Sequence, residues 1–278
     1  MHSGADGWRM RAVKLSYTVE GIPGSPVLVL SPALGTTTSL WTAQEPVFAT
    51  HFRMVRHDHP GHGHSHPPEG PVSIETIARG VLEILDELRV ERAAFCGVSL
   101  GGMVGMWLGA YAPERIERLV LASTGARIGT PEGFRERAEL VRAEGTAAVV
   151  AGARERWFTE SFRDSHEARQ VLDDLAEVPA DGYAACCEAA GDFDFRDQLG
   201  LVVSPTLLVT GADDPMTPPE VVETLLGGLS DAEHVELADA SHLSCVEQPQ
   251  AFAAAVLGHL EGRPRVRLAS ASTPSAPR

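Results

Sequence analysis

The stretch Ala93-Ala94-Phe95-Cys96-Gly97-Val98-Ser99-Leu100-Gly101-Gly102 limits the possible folds more than any other part of the chain. A short apolar run fit for a buried strand ends in Gly-x-Ser-x-Gly, and an apolar, glycine-containing helix pattern follows at once from Met103 to Tyr111. A serine wedged between strand and helix has to take a sharp, strained turn. Gly97 and Gly101 leave the room that such a close backbone approach requires. The turn would hold the Ser99 hydroxyl above the carboxyl end of a parallel sheet, at a helix N-terminus whose backbone N–H groups can meet an oxyanion. A serine here can also do no more than cap the helix; the strand and helix on either side favour a nucleophile.

The rest of the chain supplies the sheet. Val27 to Leu30 is wholly apolar, as in a central strand covered on both faces, and opens into the loop Ser31-Pro32-Ala33-Leu34-Gly35-Thr36. Arg11 to Thr18 alternates like an edge strand, and Phe52 to His57 is a further strand with a histidine-rich exit. Ile74, Ile77, Val81, Ile84, Leu85 and Leu88 repeat at helical spacing behind Ser73, a suitable cap. Arg118 to Ala122, Pro205 to Thr210 and Ala232 to Leu237 continue the strand rhythm, and a helix from Pro249 to Leu260 closes it. Strands alternating with helices predict an α/β fold with a mostly parallel central sheet flanked by helices. Between Gly125 and Gly200 the pattern is helical and rich in arginine and glutamate. This segment predicts a helical cap inserted over the carboxyl edge of the sheet, where open α/β sheets place their ligands. The expected organisation is a core over 1–124 and 201–262, a cap over 125–200, and a disordered Ser-, Pro- and Arg-rich tail over 263–278, after a loose leader over 1–10.

Composition narrows the function. The 278 residues carry a formal charge of −15, which argues against nucleic acid or an anionic membrane as partner. An anionic substrate would therefore need a local cluster of arginines. Lys14 is the sole lysine, which disfavours Schiff-base chemistry. Cys96, Cys186, Cys187 and Cys245 show no Cys-x-x-Cys spacing and read as reduced packing residues. The polar leader lacks a signal-peptide core and no apolar run approaches membrane-spanning length, so a cytoplasmic protein is expected.

A serine hydroxyl becomes a useful nucleophile only when a histidine removes its proton, and that histidine needs a carboxylate to fix its tautomer. In a sheet of this kind the partners follow at later strand ends in the order Ser, acid, His. Gly211-Ala212-Asp213-Asp214-Pro215-Met216-Thr217-Pro218 follows one strand, and Ala238-Asp239-Ala240-Ser241-His242-Leu243 follows the next. The predicted triad is Ser99, Asp214 and His242. Asp214 is preferred to Asp213 because it completes Gly-x-x-Asp-x-x-x-Pro, though the choice rests on one position. The oxyanion hole should use the N–H of Leu100 and that of Ala33, since Pro32 has none to give. His57, His59, His62, His64 and His66 resemble a metal-ligand cluster, but no acidic or histidine set elsewhere completes one. No metal and no cofactor is expected, and one of these histidines is placed to line a pocket.

At these residues the chain resembles the α/β-hydrolase superfamily, and within it the 3-oxoadipate enol-lactonases. The likeness runs from about Val27 to Leu260. It includes Ser31 to Thr36 followed by Trp41, Asp58 with Gly61-His62-Gly63 and Ser65, and Phe95 to Met103. Ala112-Pro113-Glu114-Arg115, Arg127-Ile128-Gly129-Thr130, Val141 to Gly145 and Glu155 to Thr159 belong to it too. Pro32 and Pro60 depart from it, standing where relatives often carry Asn and Arg. The triad motifs are common to the superfamily; the cap segments point to the lactonase. The resemblance implies an α/β-hydrolase fold, a small unsaturated lactone with one free carboxylate as substrate, and a Ser-His-Asp acyl-enzyme mechanism without cofactor or metal. It also implies that Trp157 walls the pocket and that a cap arginine (Arg135, Arg142, Arg154 or Arg156) holds the carboxylate, unless these lie on solvated helix faces. Other readings are another esterase or lactonase, a C–C hydrolase, a perhydrolase, or a non-catalytic small-molecule receptor of the same fold, because the cap chooses the reaction.

Overall fold

The computed structural model describes residues 13–262. The expected leader over 1–10 and tail over 263–278 lie outside these residues. Among the described residues seven strands form one sheet: β1 (Tyr17–Gly21), β2 (Val27–Ser31), β3 (Arg53–His57), β4 (Ala93–Val98), β5 (Ile116–Ala122), β6 (Thr206–Gly211) and β7 (Ala232–Leu237). Their order is β1-β3-β2-β4-β5-β6-β7, with β1 antiparallel to β3 and every other pair parallel. Strands β2, β4 and β6 are buried at every position. That explains their unbroken apolar runs, since helices cover both faces of a parallel sheet.

The first strand starts later than the expected Arg11 to Thr18. The N–H of Val13 bonds to Thr76 O, while the N–H of Ser16 bonds to Ser65 Oγ and its hydroxyl to His64 O. Those donors are spent on the helix that begins at Ile74 and on the loop after β3, so only from Tyr17 onward does the chain join the ladder with β3.

Among the described residues ten α-helices surround the sheet. They are α1 (Glu45–Phe48), α2 (Ile74–Glu87), α3 (Leu100–Tyr111), α4 (Pro131–Glu144), α5 (Ala147–Trp157), α6 (His166–Glu177), α7 (Ala180–Gly191), α8 (Pro219–Gly228), α9 (Ser244–Glu247) and α10 (Pro249–Leu260). Ser73 caps α2 through a capping box with Thr76, and Ile74, Ile77, Val81, Ile84 and Leu85 are the face it buries. Helices α4 to α7 separate β5 from β6. Phe134, Trp157 and Tyr183 from these helices, and Phe158 just after α5, join the same apolar core as the sheet. Helix α7 also meets the loop after β3. A Cβ on Gly61 would lie 2.4 Å from Gly182 Cα, so the two backbones touch where only glycines fit. Among the described residues no helix is long and apolar enough to cross a membrane. All four cysteines are buried and unpaired.

Candidate active site

The turn from β4 into α3 places Ser99. Its backbone takes φ 54° and ψ −111°, a conformation costly for a residue with a Cβ. Its side chain makes no capping hydrogen bond to α3, so the serine is not there to cap the helix. Instead the backbone holds it. The N–H bonds to Ala122 O, and the carbonyl accepts from Thr124 Oγ1 and from the N–H of Met103. The flanking glycines are required by contact: a Cβ on Gly97 would sit 2.2 Å from Gly101 O, and one on Gly101 2.3 Å from Ser31 O. The second contact seats the β2 loop directly against the start of α3.

The acid and the histidine come from two loops paired back to back. The N–H of Ala212 bonds to Leu237 O and that of Asp213 to Ala240 O. This pairing leaves Asp213 exposed and turns Asp214 inward. Asp214 Oδ2 lies 2.9 Å from His242 Nδ1, and both side chains are fully buried. The same oxygen accepts from Thr217 Oγ1 at 2.5 Å, and Oδ1 accepts from the N–H of Met216 at 2.8 Å. Burial alone would push the Asp214 carboxyl up. The facing His242 and these hydrogen bonds outweigh it and hold the group below its usual value. Asp214 therefore stays an anion against His242 and fixes which ring nitrogen carries the proton.

Ser99 and His242 line one enclosed cavity with Ala33, Leu100 and Trp157. Its volume is about 30 Å³, room for one or two waters. Leu100 follows the serine at the first turn of α3, and Ala33 stands on the loop after β2. Pro32 O is held from two sides, by Gly101 N–H at 3.1 Å and by His59 Nε2 at 2.8 Å. At the other end of that loop, Gly35 N–H donates to His62 Nε2 at 3.1 Å. His57, His59 and His62 form a buried chain, with ring centroids 5.3 and 6.0 Å apart. Burial drives His57 and His62 down to about 4 and His59 well below its usual value, so all three are neutral. None of them lines the cavity; His62 stacks on Tyr183, which does. Among the described residues no group of three or more His, Cys, Asp or Glu side chains is arranged to hold a metal ion.

The four arginines expected to hold a carboxylate separate into two kinds. Arg135 pairs with Glu132, Arg142 with Glu188, and Arg154 with Asp164 and Glu155, all away from the cavity. Only Arg156 reaches the cavity, and Gly152, one turn earlier on α5, leaves space for its guanidinium. A fifth arginine joins it. Arg137 on α4 lines the same cavity, with its guanidinium over the Phe134 ring at 4.5 Å. Both arginines also line an outer cleft of about 720 Å³, so they stand where the cleft meets the cavity. Among the described residues neither is in an ion pair with a carboxylate. Burial first, and then Arg137, lower the pKa of Arg156. Two cations facing one space in so acidic a protein leave that space ready for an anion. Arg137 was detectable in the sequence, because it falls on the buried stripe Phe134, Ala138, Val141 of α4, whereas Arg135 does not.

The model of the α/β-hydrolase fold family matches residues 26–249. The chain is 40% identical to 3-oxoadipate enol-lactonase 2 of Acinetobacter baylyi over 251 residues, covering 88% of this chain and 92% of that one. It is 37% identical to 3-oxoadipate enol-lactonase 1 of the same organism, covering 86% and 90%. Among solved structures, the enol-lactonase from Burkholderia xenovorans superposes with a TM-score of 0.86 at 38% identity, covering 89% of this chain and 96% of that one.

Proposed function

The chain belongs to the α/β-hydrolase family, and on that premise we propose that it is a serine hydrolase opening 3-oxoadipate enol-lactone to 3-oxoadipate. The observation that carries the reading is that the cavity of Ser99 and His242 adjoins the larger outer cleft, which supplies the room a lactone needs, at two arginines that have no acidic partner among the described residues. The named function of relatives at 37–40% identity supports the substrate.

In this reading Ser99 Oγ attacks the lactone carbonyl while His242 Nε2 takes its proton, and Asp214 steadies the resulting imidazolium through Nδ1. The oxyanion rests on the N–H groups of Leu100 and Ala33. Collapse of the tetrahedral intermediate breaks the ring C–O bond. The expelled enolate takes the proton held on His242 and ketonises, which makes the opening effectively irreversible and leaves His242 neutral again. Water, deprotonated by His242, then attacks the acyl-enzyme and releases the product from Ser99. Trp157 walls the cavity, and Arg156 with Arg137 holds the free carboxylate. This chemistry asks for no cofactor, metal or second macromolecule, only the small-molecule lactone.

The test is turnover of freshly generated enol-lactone, followed by loss of its absorbance, with Ser99→Ala alongside. Turnover that disappears in the variant is the expected result. A protein that hydrolyses p-nitrophenyl acetate through Ser99 but leaves the enol-lactone untouched would overturn the substrate and keep the hydrolase.

A further inference from the structure

Glu247 is a buried carboxylate with no part in the chemistry above, and it accepts three hydrogen bonds. Oε2 accepts from the N–H of Ser241 at 2.5 Å; Oε1 accepts from the N–H of Thr159 at 2.9 Å and from its hydroxyl at 2.8 Å. Ser241 immediately precedes His242, and Thr159 follows the end of α5 that carries Arg156 and Trp157. Further bonds join the same two segments. Leu243 N–H donates to Trp157 O at 3.0 Å, and the Ser241 hydroxyl reaches Arg156 O at 3.0 Å. Both neighbours of the histidine are thus tied to the carbonyls of the two cap residues that line the cavity.

From this geometry we propose that Glu247 is a positioning residue, clamping the His242 loop and the end of α5 into one unit. The clamp fixes the distance between the proton-accepting imidazole and the Arg156 guanidinium. A carboxylate suits the place because both its oxygens face donors. Glutamine cannot replace it, since its amide would turn a donor toward either Ser241 N–H or Thr159. The loop then has to shift, and small displacements of a catalytic base are expensive.

Glu247→Gln is the test, with p-nitrophenyl acetate as substrate and each rate divided by the number of serines that a fluorophosphonate labels. The expected result is a per-site kcat lowered by about ten- to a hundredfold with KM little changed. A role in folding alone would reduce the number of labelled sites and leave the per-site rate intact, which would overturn the proposal. Thr159→Val removes one of the three bonds and keeps the side-chain shape, so it should lower the same rate by less. It decides the matter if the glutamine variant does not fold. The low-field proton resonance of His242 Nδ1–H gives a readout without turnover and should move in both variants; an unmoved resonance counts against the clamp. Neither measurement uses the lactone, so the clamp stands or falls apart from the substrate assignment.

Discussion

The arginines show how far a single residue can be read. In so acidic a chain an anionic substrate would need a local cluster of arginines, but spacing alone could not tell which arginine turns inward. Arg135, Arg142 and Arg154 each find a carboxylate on the surface. Among the described residues Arg156 and Arg137 find none, and they face the cavity. Replacing either of these two by Gln should raise KM for the enol-lactone by about ten- to a hundredfold, the value of a charge-assisted hydrogen bond. Hydrolysis of uncharged p-nitrophenyl acetate should change little, and Arg135→Gln should leave both substrates alone. Equal losses on the two substrates would remove the arginines from carboxylate binding. Ser99, by contrast, was legible because its turn requires Gly97 and Gly101 within five residues of chain. Glu247 escaped notice because its partners, Thr159 and Ser241, meet it only in the folded molecule.

At the scale of an element, the loop after β3 carries information that its composition concealed. A run of histidines reads first as a metal site or a pocket wall, whereas the structure makes three of them a neutral buried brace for the loop after β2. Neutrality has a consequence for stability. In the folded protein His57 and His62 take up a proton only near pH 4, while in the unfolded chain they do so near 6.5. The unfolded state therefore binds more protons between these values, and stability falls as the pH drops from about 6.5 to about 4. Each histidine removes about 3 kcal/mol over that window. His59 and the partly buried His259, both lowered by burial, act in the same direction. Urea midpoints between pH 7.5 and 4.5 should show this loss. The two ring nitrogens of His57 have no hydrogen-bond partner among the described residues, so His57→Leu should lessen the acid sensitivity. A variant as acid-labile as the parent would locate the effect elsewhere.

For the whole molecule, the alternation of apolar runs and helical spacings implies a mostly parallel sheet flanked by helices, with the acid and the histidine expected at its later strand ends; the order β1-β3-β2-β4-β5-β6-β7 was not legible. How α4 to α7 sit against the rest of the molecule was not legible, because that depends on contacts between distant segments. The approach of Gly61 to Gly182 is one such contact, unremarkable in either local context. It seats α7, and with it Tyr183, against the loop that the buried histidines brace. A Cβ on Gly182 would lie 2.6 Å from Gly61 Cα, and backbone cannot yield as a long side chain can. Gly182→Ala should therefore push α7 away from the sheet, at a cost of about 1–3 kcal/mol. For a chain of this length that lowers Tm by roughly 2–12 °C. Displacing Tyr183 also alters the cavity wall beside the arginines. At temperatures where the variant is fully folded, KM for the lactone should rise more than kcat falls, because Ser99, Asp214 and His242 stand on strand ends that α7 does not support. A variant with an unchanged melting temperature would mean that α7 is seated by its apolar face alone. One with reduced kcat and unchanged KM would mean that α7 supports the catalytic residues rather than the wall of the cavity.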